Sequence, residues 1–151
     1  MKRLLAAVTL VLVASGNLIL LSQANANFNG NLSIRVDGLK NQKGQICLSI
    51  FSSSQGFPGN SKRALKAQCL KVTETPQTVT FPNLKAGNYA VAIFHDANGD
   101  NNLNSNVLGI PTEGFGFSQN PRIRTGTPKF GDSAVLVAGS STNIQIQLQY
   151  F

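Results

Sequence analysis

His95, Asp96, Asn98, Asp100, Asn102 and Asn104 crowd one short stretch, with Glu113 close behind. His95 is the sole histidine of the chain. Beside Asp96 it has the make-up of a general base or a metal ligand. Asp96, Asn98 and Asp100 fall at every second position, the spacing by which a short loop points successive oxygens at one cation. Asp96, Asn98, Asp100, Asn102 and Asn104 are therefore read as a candidate weak calcium site. The loop departs from a helix-flanked calcium loop. Counting Asp96 as position one, position six is Asn101 rather than Gly and position twelve is Val107 rather than Glu. Two carboxylates imply weak binding, on the order of 10⁻⁴ to 10⁻³ M. The competing structural reading needs no metal: Asp and Asn side chains bond their own backbone in turns.

Glu113 could complete an acid/base cluster with His95 and Asp96, and such a trio is the one hydrolytic constellation available. A glutamate in a packed loop more often accepts from backbone N–H groups, and a lone histidine at a strand end more often bonds loop backbone. No Gly-x-Ser-x-Gly elbow, Cys–His pair or His-Glu-x-x-His zinc motif is present. Phe115 and Phe117, spaced by glycines, read as anchors of a long loop, with a ligand platform as the alternative.

These residues need a strand to hold them. Tyr89, Val91, Ile93 and His95 alternate with Ala90, Ala92 and Phe94, so both faces are apolar, as in a central strand covered on each side. Around it the chain reads as short strands: Asn31 to Val36, Gln45 to Phe51, Ala67 to Thr73, Gln77 to Phe81, Ser133 to Ala138 and Asn143 to Tyr150. Pro82 to Gly87 reads as a turn with Leu84 tucked inward. The expected fold is an all-β, immunoglobulin-like antiparallel sandwich of about seven strands. The segment from Asp96 to Asp132 is long for a connection in a compact domain. Its apolar residues, Phe115, Phe117 and Phe130 among them, predict an ordered loop packed over one end of the sheets.

Cys47 alternates with the apolar residues of its strand, and so does Cys69. Both point away from the core and can bridge neighbouring strands. Without a CxxC spacing or a nearby His, a redox or metal role has less support than a structural disulfide.

The N-terminus has the form of a secretory signal peptide. Lys2 and Arg3 precede a largely apolar run, and Ala24-Asn25-Ala26 supplies a cleavage pattern between Ala26 and Asn27. An uncleaved membrane anchor is the rival reading. Residues 27–151 form one domain by length, with no second apolar run to span a membrane after signal removal. The net charge of +7 drops by two without Lys2 and Arg3. The remaining cations are scattered, which suits a solvated surface better than a nucleic-acid footprint. The protein is expected in the periplasm or outside the cell.

The run from Asn83 to Asp100, with its His95-Asp96-x-Asn98-Gly99 core, resembles the hallmark of the bacterial DUF2141 family. So do Gly109-Ile110-Pro111-Thr112-Glu113-Gly114, the later Pro128-Lys129-Phe130 and the final Ile-x-Leu-x-Tyr strand. The resemblance covers nearly all of 27–151 and implies a single-domain exported protein without a settled activity. Family members often carry Asp at the position of Asn104, so any carried-over cation site here has one carboxylate fewer.

Two function classes follow. The preferred one is an exported non-catalytic module that binds a cation, calcium being the one cofactor implied, or an envelope ligand through the 95–132 loop. The alternative is a periplasmic hydrolase using His95, Asp96 and Glu113. A shared concave pocket with converging side chains would favour the enzyme.

Overall fold

The computed structural model describes residues 29–124 and 126–151. The signal segment and the Ala26/Asn27 junction lie outside the described residues. Among the described residues eight strands form: β1 (Asn29–Asp37), β2 (Gln45–Phe51), β3 (Lys66–Lys71), β4 (Gln77–Lys85), β5 (Gly87–Asp96), β6 (Gly114–Phe117), β7 (Ala134–Val137) and β8 (Ser141–Gln147). A 3-10 turn at Ser61–Arg63 and one helical turn, α1 (Phe130–Ser133), complete the list of regular elements.

The strands make two sheets, one ordered β4-β1-β8 and the other β3-β2-β5-β6, with β7 also paired to β5. Period-two alternation sets what lies between them. Leu32, Ile34 and Val36 of β1, with Val79, Phe81 and Ile146, meet Ile46, Leu48, Ile50, Tyr89, Val91 and Ile93 of the facing sheet in one core. The alternation read from sequence therefore places each of these side chains on its correct face.

Three features differ from the sequence reading. The first is direction: β8 runs parallel to β1, so the sandwich is not wholly antiparallel. Alternation reports which face a side chain takes and is blind to the direction of the neighbouring strand. The second is β4, which runs on to Lys85 where a turn was expected. A bulge opposite Gly30 and Leu32, with Asn83 at φ 58°, bends the strand yet keeps Leu84 in the core.

The third is β6. The Gly-Phe-Gly-Phe run was expected to be loop, and it is a strand with all four residues buried. It pairs antiparallel with the last part of β5, from Ala92↔Phe117 to His95↔Gly114. β7 pairs antiparallel with the first part, from Gly87↔Val137 to Ala90↔Ala134. The two short strands thus lie end to end along one edge of β5, as a single strand interrupted between Ser118 and Ala134. At the seam Ser118 closes the ladder. Its amide donates to the Val91 carbonyl at 3.0 Å, its Oγ accepts the Val91 amide at 2.9 Å, and its hydroxyl donates to the Ser133 carbonyl.

Gly114 and Gly116 are required by close approach. A Cβ on Gly114 would lie 2.2 Å from the Tyr150 ring, and one on Gly116 2.8 Å from Ile146. The chain after β8 exploits that gap. Phe115 and Gln149 exchange backbone hydrogen bonds at 3.0 and 2.8 Å, which ties the two sheets together at this edge.

Cys47 lies directly opposite Cys69 in the β2–β3 ladder, and the two form a disulfide with Cα atoms 4.0 Å apart. Both lie on the sheet face away from the core, as expected. Cys47, on the inner of the two strands, is nonetheless buried, whereas Cys69 is exposed. Closing a loop of this size stabilises the fold by about 3 kcal/mol in the chain-entropy model. Replacing both cysteines by serine should lower unfolding stability by about that amount in a urea titration. An unchanged midpoint would show that the bridge does not constrain the unfolded chain.

Candidate functional site

His95 and Asp96 are consecutive on β5, so they project to opposite faces. His95 follows Tyr89, Val91 and Ile93 inward and is 1% exposed. Both of its ring nitrogens are engaged, Nδ1 with the Tyr150 hydroxyl at 2.8 Å and Nε2 with the Lys43 carbonyl at 2.8 Å. A carbonyl only accepts, so Nε2 carries a hydrogen. In the neutral ring Nδ1 then accepts from the Tyr150 hydroxyl. That hydroxyl in turn accepts the Lys40 amide at 3.3 Å. Burial pushes the phenol of Tyr150 above its ordinary value; the Lys40 amide pulls it down, and the nearby Glu113 carboxylate adds to the rise. The chain of bonds pins the 40–43 turn and the C-terminal segment to the end of β5.

Asp96 points to the other face and is fully buried. Its Oδ1 accepts the amides of Gly99 at 2.6 Å and Asp100 at 3.2 Å. Its Oδ2 accepts the Asn101 amide at 2.9 Å and the Gln45 side chain at 2.8 Å. Burial disfavours the ionised carboxyl, yet the hydrogen bonds from Gln45, Asn101, Gly99 and Asp100 together outweigh it and hold the pKa below 3.8. Gln45 also bonds Asn101 Oδ1, so one glutamine from β2 braces both ends of the turn.

Glu113 is buried and works in the same way. One oxygen accepts the Ala97 amide at 2.9 Å and the other the Asn104 amide at 3.0 Å. It thereby spans the two ends of the 97–104 segment. Asp100 is exposed; the Asn104 side chain, the Asn102 amide and the Asn98 side chain all donate to it and keep its pKa low.

The arrangement brings Asp96 and Glu113 to the same hairpin connection and leaves His95 behind the sheet. For a cation the fit is poor as the residues stand. Each oxygen of Asp96 faces N–H donors, whereas a hard cation wants converging lone pairs. Asn98, Asp100 and Asn104 do converge, through contacts of 2.9 to 3.2 Å. Their amides present nitrogen to the carboxylate, and each would have to turn over to present oxygen. Among the described residues no three His, Cys, Asp or Glu side chains are grouped so as to hold a metal.

A different feature dominates the same face of the sheet. Between the 97–113 connection and the 119–129 segment lies a cleft of about 590 Å³. Ala92, Phe94, Phe115 and Phe117 form its floor, Ile110 and Pro111 line one side, and Ile123 and Arg124 also line it. Phe117 is held from behind by Phe57, which packs edge-on against Phe51, Phe117 and Phe130 at 5.4 to 6.1 Å. Phe115 and Phe117 are thus both anchors and lining. Sequence reading found these two but missed Phe94, Ile123 and Arg124 as lining, and Phe57 as the support of Phe117; the four come from three separate segments. The available signal was parity: Ala92, Phe94, Phe115 and Phe117 are apolar residues on the outward-facing positions of paired strands. Gln45 and Tyr150, which anchor Asp96 and His95, gave no comparable sign.

Acid should act on Asp96 in a predictable sense. Its folded pKa is depressed, so its contribution to stability is complete above about pH 5. That contribution is lost as pH falls through the unfolded value near 3.9 toward the lower folded one. Asp96→Asn should cost about 1–3 kcal/mol at neutral pH and flatten the stability profile between about pH 5 and 3. An unaltered acid limb in a denaturation series would remove Asp96 as its source. Gly114→Ala should independently destabilise by about 1–3 kcal/mol through displacement of the Tyr150 ring, read as a drop in melting temperature.

Neither the curated proteins nor the solved structures yielded a match to this chain. A family model described as an uncharacterized protein conserved in bacteria, DUF2141, matches residues 34–145, from the middle of β1 to within β8. That stretch contains the β5 hairpin, the split strand and all of the cleft lining but Phe151, and the chain accordingly belongs to the DUF2141 family.

Proposed function

We propose that this chain is an exported, non-catalytic binding module on an immunoglobulin-like sandwich, and that its ligand occupies the cleft on the outer face of the five-stranded sheet. The observation that carries the reading is a contrast. The groups able to do acid–base chemistry, His95, Asp96 and Glu113, spend their polar atoms on backbone and on one another's supports. The cleft beside them is roomy, apolar and framed by loops. Its volume suits a small ligand. Among the described residues Arg124 is the one charged side chain lining it, which favours an apolar body bearing a negative group. Export is supported by the N-terminal charge, apolar run and small-x-small pattern, and by a disulfide that suits an oxidising compartment.

The hydrolase alternative has less support, because His95 and Asp96 face opposite sides of β5. A second reading, weak calcium binding, is favoured by the convergence of Asn98, Asp100 and Asn104. Under it, several millimolar calcium raises the melting temperature of the wild type and not of Asp100→Ala; no shift in either leaves the turn purely structural.

The cleft reading is tested by calorimetric titration with laurate below its micelle concentration, against dodecyltrimethylammonium of equal chain length. Laurate should bind more tightly. Ala92→Phe, which fills the floor, should weaken it at least tenfold. Arg124→Glu should remove the preference for the anion. Equal binding by wild type and Ala92→Phe, or no binding at all, overturns the reading.

A further inference from the structure

The connection between β5 and β6 ends in a turn that the cleft does not need. Ser105 bridges to Pro111, and residues 106–110 between them form a short finger. Val107 at its tip is fully exposed and Leu108 is 78% exposed; Ile110 at its base is 41% exposed. Exposed aliphatic side chains occur singly on most proteins. Here they are clustered on a projection, with no charged side chain anywhere from Asn101 to Thr112.

The backbone of the finger is closed upon itself. The Asn106 amide donates to the Ile110 carbonyl at 2.9 Å, and the Gly109 amide to the Asn106 carbonyl at 2.9 Å. Asn106 Oδ1 accepts the amides of Leu108 at 2.9 Å and Ile110 at 3.0 Å. Four of the five amides from Asn106 to Ile110, all but that of Val107 at the tip, therefore have partners inside the turn. Paired amides lower the cost of bringing this backbone toward a medium poor in hydrogen-bond partners.

Charge points to the same surroundings. Ile123 and Arg124 line the cleft that Ile110 and Pro111 also line. Arg124 continues with Arg122 and Lys129 into an adjoining hollow, where Asp132 is the one acid. Asp132 is tied back by the Lys129 amide. The finger is thus an apolar tip beside a surface where Arg122, Arg124 and Lys129 outnumber the exposed Asp100 and Asp132.

We infer that the 105–111 finger seats the protein on an anionic lipid surface, with Val107 and Leu108 entering the headgroup–acyl boundary and Arg122, Arg124 and Lys129 meeting the headgroups. Two side chains bury little area, so the attachment is reversible and depends on the charge. This goes beyond the cleft reading and stands without it: laurate could fail to bind while the finger still docks.

The chain contains no tryptophan, which makes a clean experiment available. Both sheets and their core lie within residues 29–148, so the protein is used from Asn27 onward. Val107→Trp is mixed with vesicles of phosphatidylcholine alone and of phosphatidylcholine with phosphatidylglycerol. The expected result is a blue shift of emission with the anionic vesicles, reduced by raising salt from 50 to 500 mM. In flotation with the same vesicles, Val107→Ser with Leu108→Ser should lose at least tenfold in bound fraction at an unchanged melting temperature. No flotation of the wild type with either vesicle, or full flotation of the serine variant, overturns the inference. A Trp emission that shifts only when other proteins of the envelope are added would assign the finger to a protein partner instead, and would equally overturn it.

Discussion

Strand β5 is buried on its inner face, floors the cleft on its outer one and is paired on both edges, and the rest of the molecule follows from satisfying that pairing. A backbone group sealed between two layers has no water to turn to, so an unpaired N–H or C=O there is costly. β2 serves one edge along most of its length. The other edge is served by β6 and β7 in turn, and Ser118 supplies a side-chain oxygen to Val91 where the two meet. A serine does what a continuous strand would have done, and the chain gains freedom to wander between the halves.

Because β5 ends in two buried residues on opposite faces, those residues serve two different tasks. His95, on the inner side, fastens two stretches of chain from other parts of the sequence. Asp96, on the outer side, organises a turn of its own making, with Gln45 as the external brace. Glu113 repeats the device from the far end of the same connection. Together they hold a polar hairpin end firmly enough for the 105–111 finger to project and for the cleft wall to keep its shape. The carboxylates act here as structural acceptors, and the lowered pKa values of Asp96 and Asp100 are the electrostatic trace of that employment.

Most of this scaffold is legible in the sequence, for a physical reason. Leu32, Ile34 and Val36, or Ile46, Leu48 and Ile50, declare their faces because a strand alternates sides with period two. The opposite orientation of His95 and Asp96 is contained in the same rule. The disulfide is legible because Cys47 and Cys69 each fall on the outward parity of strands that are close in sequence. What escapes is whatever depends on a partner distant in the chain. Gly114 and Gly116 look like loop residues until Tyr150 and Ile146 are seen against them. Strand direction leaves no mark on alternation, so the parallel β1–β8 pair is silent. The cleft is assembled from β2, β5, β6 and three connections, and no single stretch announces it.

The interruption between Ser118 and Ala134 has an evolutionary consequence. Both ends of the intervening segment are fastened at one point, through Ser118 and the Ser133 carbonyl. A segment with its two ends stapled together can be lengthened, shortened or rewritten while the flanking half-strands keep their register. The wall that carries Ile123 and Arg124 is therefore modular, in the sense that antibody loops are modular on a constant frame.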